Sequence, residues 1–140
     1  MNLLQTIKTI EAVARKQPAV KGITPNNVYD LNNEPDAKYG NFAWVQGVHR
    51  EDFAAGIRTF SFSLFYIDRL LNGRANKNEI QSTGIEVLGN VLKGITGPEL
   101  WFDGEVSYQV FNERFADECS GVYCTVALKT YADDLCEEIY

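Results

Sequence analysis

The side chains most capable of chemistry in this chain of 140 residues are few. It contains one histidine, His49, and three cysteines. Nucleophilic catalysis by serine, cysteine or threonine usually requires a nearby base, and no nucleophile-elbow motif accompanies His49. We therefore interpret His49 as an exposed residue at the end of a hairpin, and we predict no catalytic residues and no enzymatic activity.

The three cysteines, Cys119, Cys124 and Cys136, follow a C-x4-C-x11-C spacing that matches no familiar zinc pattern. An odd number of cysteines is typical of reduced thiols rather than of a disulfide framework. Cys124 alternates with apolar residues and is predicted to be a small buried residue. We predict no metal and no cofactor; a zinc site formed by the three thiols and His49 is the less favoured alternative.

Acidic residues provide another possible chemistry, because glycosidases and magnesium enzymes can work with carboxylates alone. The acids form three groups: Glu51 with Asp52, Glu113 with Asp117 and Glu118, and Asp133 with Asp134. All are predicted in loops or in the C-terminal tail, where acids usually keep the surface solvated. An enzyme that binds a divalent ion through Asp117 and Glu118 stays open as an alternative.

The composition favours a single soluble globular domain spanning residues 1–140, with 45% hydrophobic and 23% charged residues. No segment reaches the roughly 18 apolar residues that a membrane span requires. The formal net charge of −6 disfavours general binding to DNA, which depends on neutralising phosphates with basic groups. The N-terminus lacks the features of a secretory signal, so we expect synthesis in a cytoplasm.

Two segments have the periodicity of amphipathic helices. In residues 3–16 the apolar side chains recur on one helical stripe, and Pro18 ends the segment. Residues 77–95 repeat the pattern and include Gly84 and Gly89, which weaken a helix but permit close approach to a sheet.

The strand predictions centre on a long antiparallel hairpin formed by residues 41–50 and 57–69, in which apolar residues alternate with polar ones. A short strand over 28–31 is predicted within the turn-rich segment 22–40. A second hairpin is predicted to join a strand from Val106 to Phe111 with one from Val122 to Leu128.

Between the strands of this second hairpin, Asn112 to Gly121 is predicted to form an acidic loop. The element order is α-β-β-β-α-β-β. It predicts an α+β fold with two helices on one face of a mainly antiparallel sheet of four to five strands.

In the order and general character of its predicted elements, the chain resembles the tail terminator and tail-completion family of tailed-bacteriophage neck proteins. The resemblance covers the first helix, the Asn/Pro-rich loop, hairpin 41–69, the helix 77–95 and the closing hairpin, with Val122-Tyr-Cys-Thr-Val-Ala-Leu-Lys-Thr-Tyr131. Members of that family share a two-helix, mixed-sheet fold and commonly assemble as six-subunit rings.

The resemblance implies a structural virion protein of the neck. Such a ring caps the tail tube, binds the head-completion or connector protein, and lets DNA pass without specific binding. It implies two candidate subunit or channel surfaces: the hairpin tip with Glu51, Asp52 and Phe53, and the loop 112–121 with Glu113, Asp117 and Glu118. The alternative function is a small cytoplasmic ligand- or peptide-binding α+β domain.

Overall fold

A computed structural model describes residues 1–25, 40–70, 76–114 and 118–132, without the side chains of residues 113, 114 and 118. The described helices are α1 (Leu3–Arg15) and α2 (Lys77–Ile95). The described strands are β1 (Gly22–Pro25), β2 (Asn41–Gln46), β3 (Arg50–Asp52), β4 (Ile57–Arg69), β5 (Leu100–Trp101), β6 (Tyr108–Arg114) and β7 (Glu118–Tyr131).

Helix α1 begins with a reciprocal cap. The Asn2 side chain accepts a hydrogen bond from the Gln5 backbone N–H, and the Gln5 side chain accepts one from the Asn2 backbone N–H, both at 2.8 Å. These bonds satisfy donors that the first helical turn otherwise leaves unpaired. Glu11 then accepts a hydrogen bond at 2.9 Å from the indole nitrogen of Trp44, which links α1 to β2.

The described strands form one seven-stranded sheet with the order β1-β2-β4-β7-β5. β3 also pairs with β4, and β6 also pairs with β7. Every pairing is antiparallel except that of β1 with β2, which is parallel. The α+β class is confirmed, with more strands than predicted because β1, β3 and β5 are short pieces that sequence patterning does not distinguish.

The main core lies on one face of this sheet, under both helices. Alternate residues of β4 and β7 face α1 and α2, namely Phe60, Phe62, Leu64 and Tyr66 with Val122, Cys124, Val126 and Leu128. Gly84 brings α2 close to the sheet, since a Cβ atom there would lie 2.3 Å from Cγ1 of Val122. A smaller buried cluster, Ala43, Ile67 and Cys119, lies on the opposite face with Phe65 and Phe111 packed against it.

The predicted strand 41–50 is interrupted. Gln46 pairs with Phe62, but Arg50 pairs with Thr59, so residues 47–49 oppose only residues 60–61. This arrangement is a β-bulge, which inserts an extra residue into one strand of an antiparallel pair. The hairpin over 41–69 is therefore present, with its first strand divided into β2 and β3.

Two further strand and loop predictions differ from the structure, and one lies outside the described residues. The segment Asn112–Gly121 is mostly strand rather than loop, because β6 continues to Arg114 and β7 begins at Glu118. Val106 precedes β6 instead of belonging to it. The predicted strand 28–31 falls outside the described residues, and β1 was not predicted.

Candidate functional site

The tip of the hairpin is a tight turn organised by Asp52. Its carboxylate Oδ1 accepts hydrogen bonds from the backbone N–H groups of Ala54 and Ala55, both at 3.1 Å. Its backbone carbonyl accepts a third bond, from the N–H of Gly56, at 2.8 Å. Gly56 has φ of +67°, a conformation that glycine adopts without the strain of a side chain. Asp52 thus shapes the turn.

Glu51 also makes its contacts within the hairpin. It lies directly opposite Arg58 across the β3–β4 ladder, and its Oε1 atom is 2.7 Å from Nε of Arg58. The pair is partly exposed, so its contribution to stability is small. Its geometric effect is to fix the two strands that carry the turn.

The residue that the tip presents to solvent is Phe53, which is 85% exposed. Val48, in the bulge that precedes β3, is 76% exposed. Phe53 does not fold back onto the hairpin, and it is held on a turn whose polar groups are already bonded. Of the three residues predicted at this tip, Phe53 is therefore the one available for a partner.

The second set of candidate residues, Glu113, Asp117 and Glu118, was predicted on a loop, but the described members lie in strands. Glu113 lies in β6 opposite Cys119, and Glu118 begins β7 opposite Arg114. Asp117 lies outside the described residues. The strands extend this far because Cys119 and the following residues of β7 also pair with the end of β4. The structure therefore places Glu113 and Glu118 in the ladder near the β6–β7 connection, far from the hairpin tip along β4 and β7.

His49 has a structural role in the bulge, and the prediction of an exposed hairpin-end residue is wrong. Its Nδ1 atom accepts a hydrogen bond from the backbone N–H of Ser61 at 3.2 Å. Because Nδ1 accepts, the neutral ring carries its proton on Nε2, which donates to Oε1 of Gln46 at 2.9 Å. The ring also packs edge-on against Phe60, with centroids 5.4 Å apart.

The described thiols do not converge. Cys119 and Cys124 are both buried, but they belong to clusters on opposite faces of the sheet. Burial raises the pKa of the Cys124 thiol to about 12, which keeps it protonated. Cys136 lies outside the described residues, and the described part of the chain holds no group of three or more His, Cys, Asp or Glu side chains placed for a metal ion.

An apolar groove lies between the second half of α2 and the segment that leads into β6. It has a volume of about 530 Å³ and is lined by Gly89, Leu92, Lys93, Thr96, Phe102, Val106 and Tyr108. The groove was not predicted from the sequence. The signal that could have indicated it is the alternation of Val106, Tyr108 and Val110 beside a helix that carries glycine at position 89.

No protein-family model matches the chain, and no curated protein matches it at a significant level. In the described residues, neither helix is long and apolar enough to cross a membrane.

Proposed function

We propose that the protein is a ring-forming structural subunit of the neck of a tailed bacteriophage, of the tail terminator or tail-completion kind. It would cap the tail tube and join it to the head-completion or connector protein. The observation that carries the proposal is the exposed Phe53 on a hydrogen-bonded hairpin tip. Contact with a neighbouring subunit would remove this 85% exposed side chain from water, and burial of apolar surface favours association.

The arrangement of the sheet supports a head-to-tail assembly. β3 lies beside β4 near one end of the central ladder, and β6 lies beside β7 near the other end. The hairpin tip is thus confined to one end of the subunit, and a neighbour that contacts Phe53 through another of its surfaces can leave β6 uncovered. Rings form when two different surfaces of neighbouring subunits meet and the rotation closes.

The net charge of −6 is compatible with a channel for DNA. An acidic wall repels phosphates, so the nucleic acid can pass without being held. In this proposal the protein is made in the host cytoplasm and ends in the virion.

Sedimentation velocity over a wide concentration range tests the ring. We expect a species several times the 15.8 kDa monomer, because the exposed ring of Phe53 would be buried between subunits. Phe53→Ser should shift the equilibrium towards the monomer. Leu4→Gln is the matched control, since Leu4 is also exposed but lies on α1, and it should leave the assembly unchanged.

A monomer at every concentration would contradict the proposal, as would equal assembly of the wild type and Phe53→Ser.

The second candidate function, a ligand- or peptide-binding domain, is favoured by the groove between α2 and β6. Stabilisation by a ligand in a protein that never assembles would support it instead.

A further inference from the structure

The strands at the sheet edges differ in how well they are protected against pairing with another chain. β1 has four residues and ends in Pro25, and β5 has two residues. β3 consists of Arg50, Glu51 and Asp52, all charged. Short length, proline and charge are the usual protections of an edge strand.

β6 lacks these protections over most of its length and carries charge only at its last two residues, Glu113 and Arg114. It has seven residues, and the first five, Tyr108 to Asn112, carry no charge. Within the described residues β6 pairs only with β7, and no described strand pairs with its other side. Val110, in the middle of this strand, is 53% exposed.

The same edge continues into the apolar groove. Tyr108, the first residue of β6, lines the groove, and Val110 is in phase with it on the helix side of the sheet. Ile85 of α2 is partly exposed as well. A strand edge beside a helix, with an apolar groove between them, is the geometry used to bind an extended peptide as an added strand.

We propose that the edge of β6 binds an extended segment of another protein as an additional strand, with alternate apolar side chains directed into the groove between α2 and β6. Main-chain hydrogen bonds to β6 would hold the segment. Lys93 lines the groove and forms no ion pair within the described part of the chain. We therefore infer that the segment carries a carboxylate at the position that meets Lys93.

The proposal is independent of ring assembly, because β6 and the hairpin tip lie at opposite ends and sides of the β4–β7 ladder. The test uses the Phe53→Ser variant, so that the tip cannot affect the result. A displayed library of random decapeptides is selected on this protein, and selected peptides are synthesised. We expect enriched sequences with alternating apolar residues and an Asp or Glu at a constant position.

Two variants locate the binding. Val110→Lys places a charge on the edge and should weaken peptide binding by roughly tenfold or more. Lys93→Glu should weaken it by roughly as much, and replacing the peptide's acidic residue by lysine should restore binding. Lys8→Glu, on the exposed face of α1, is the matched control and should have no effect. A peptide N-methylated at the alternate residues whose N–H groups face β6 should not bind, because it cannot complete the ladder, whereas methylation of the other alternate set should be tolerated.

Failure to enrich peptides beyond a parallel selection on Val110→Lys would overturn the proposal. Equal peptide binding by Val110→Lys, Lys93→Glu and the control Lys8→Glu would overturn it too. A dimer of the Phe53→Ser protein that Val110→Lys dissociates would show that a second copy of the chain occupies this edge instead of a partner peptide.

Discussion

His49 shows how one side chain can replace a missing piece of a β-ladder. The bulge at residues 47–49 removes the backbone partner of the Ser61 N–H, and Nδ1 of His49 accepts that bond instead. A half-buried N–H without an acceptor costs free energy of folding. His49, which was considered as a catalytic base, therefore has a structural role: it accepts a backbone hydrogen bond from β4.

We expect His49→Leu to lower the free energy of unfolding by about 1–3 kcal/mol, the cost of an unsatisfied polar group. His49→Asn should be less damaging, because its Oδ1 atom lies near the position of Nδ1 and can accept the same bond. Urea unfolding measures both, and amide exchange at Ser61 should be faster in the leucine variant. Equal stability and equal exchange in the two variants would contradict this role.

The buried thiol of Cys124 should make the stability of the protein depend on pH. Burial raises the pKa of its thiol from 9.0 to about 12, so the unfolded chain loses this proton at lower pH than the folded chain does. The contribution is complete below pH 9 and is lost as the pH rises towards 12. Stability should fall by about 1.4 kcal/mol between pH 8 and pH 10 through this group.

Urea unfolding at both pH values, in the wild type and in Cys124→Val, isolates the thiol. The valine variant has no proton to lose and should show a smaller decrease. The burial that raises the pKa of Tyr66 to about 12, reinforced by the charge and hydrogen bond of Asp68, adds to the decrease in both proteins. An identical pH dependence in the two proteins would contradict the assignment to Cys124.

At the scale of the elements, α2 contains two glycines with different surroundings. A Cβ atom at Gly84 would lie 2.3 Å from Cγ1 of Val122, which is fully buried. At Gly89 the nearest atom would be the Tyr108 hydroxyl, at 3.3 Å. The first glycine is required by packing, whereas the second only weakens the helix.

We expect Gly84→Ala to destabilise the protein by about 1–3 kcal/mol through overpacking, which outweighs the roughly 1 kcal/mol gained in helix propensity. Gly89→Ala should be neutral or stabilising by up to about 1 kcal/mol. Thermal and urea unfolding of the matched pair give the comparison. A Gly84→Ala protein as stable as the Gly89→Ala protein would show that α2 can move away from the sheet.

The helices and the long hairpin could be predicted because their apolar periodicity extends over many residues, as in α2, which has the predicted bounds 77–95. β1 could not, since Gly-Ile-Thr-Pro is too short to show alternation and depends on pairing with β2. The extension of β7 to Glu118 was missed because Ser120 and Gly121 interrupt the alternation. Sequence patterning does not decide whether Phe53 is exposed; the turn that Asp52 forms does.

At the scale of the whole molecule, the two proposed surfaces lie on opposite sides of the sheet order. β3 and its turn lie on the β2 side of β4, and β6 lies on the far side of β7. A partner at one surface therefore leaves the other free. A ring held together through Phe53 could bind peptide segments along β6 without competition.

The position of β7 has a consequence for biosynthesis. All 13 residues of β4 pair with β7, and β5 and β6 have no other strand partner among the described residues. A ribosome releases residues 118–131 after every other described strand, so the central ladder closes only then. Until that moment the nascent chain presents the full length of β4 as an open, apolar edge. Such edges aggregate, and a product that stops before residue 118 would keep that edge permanently.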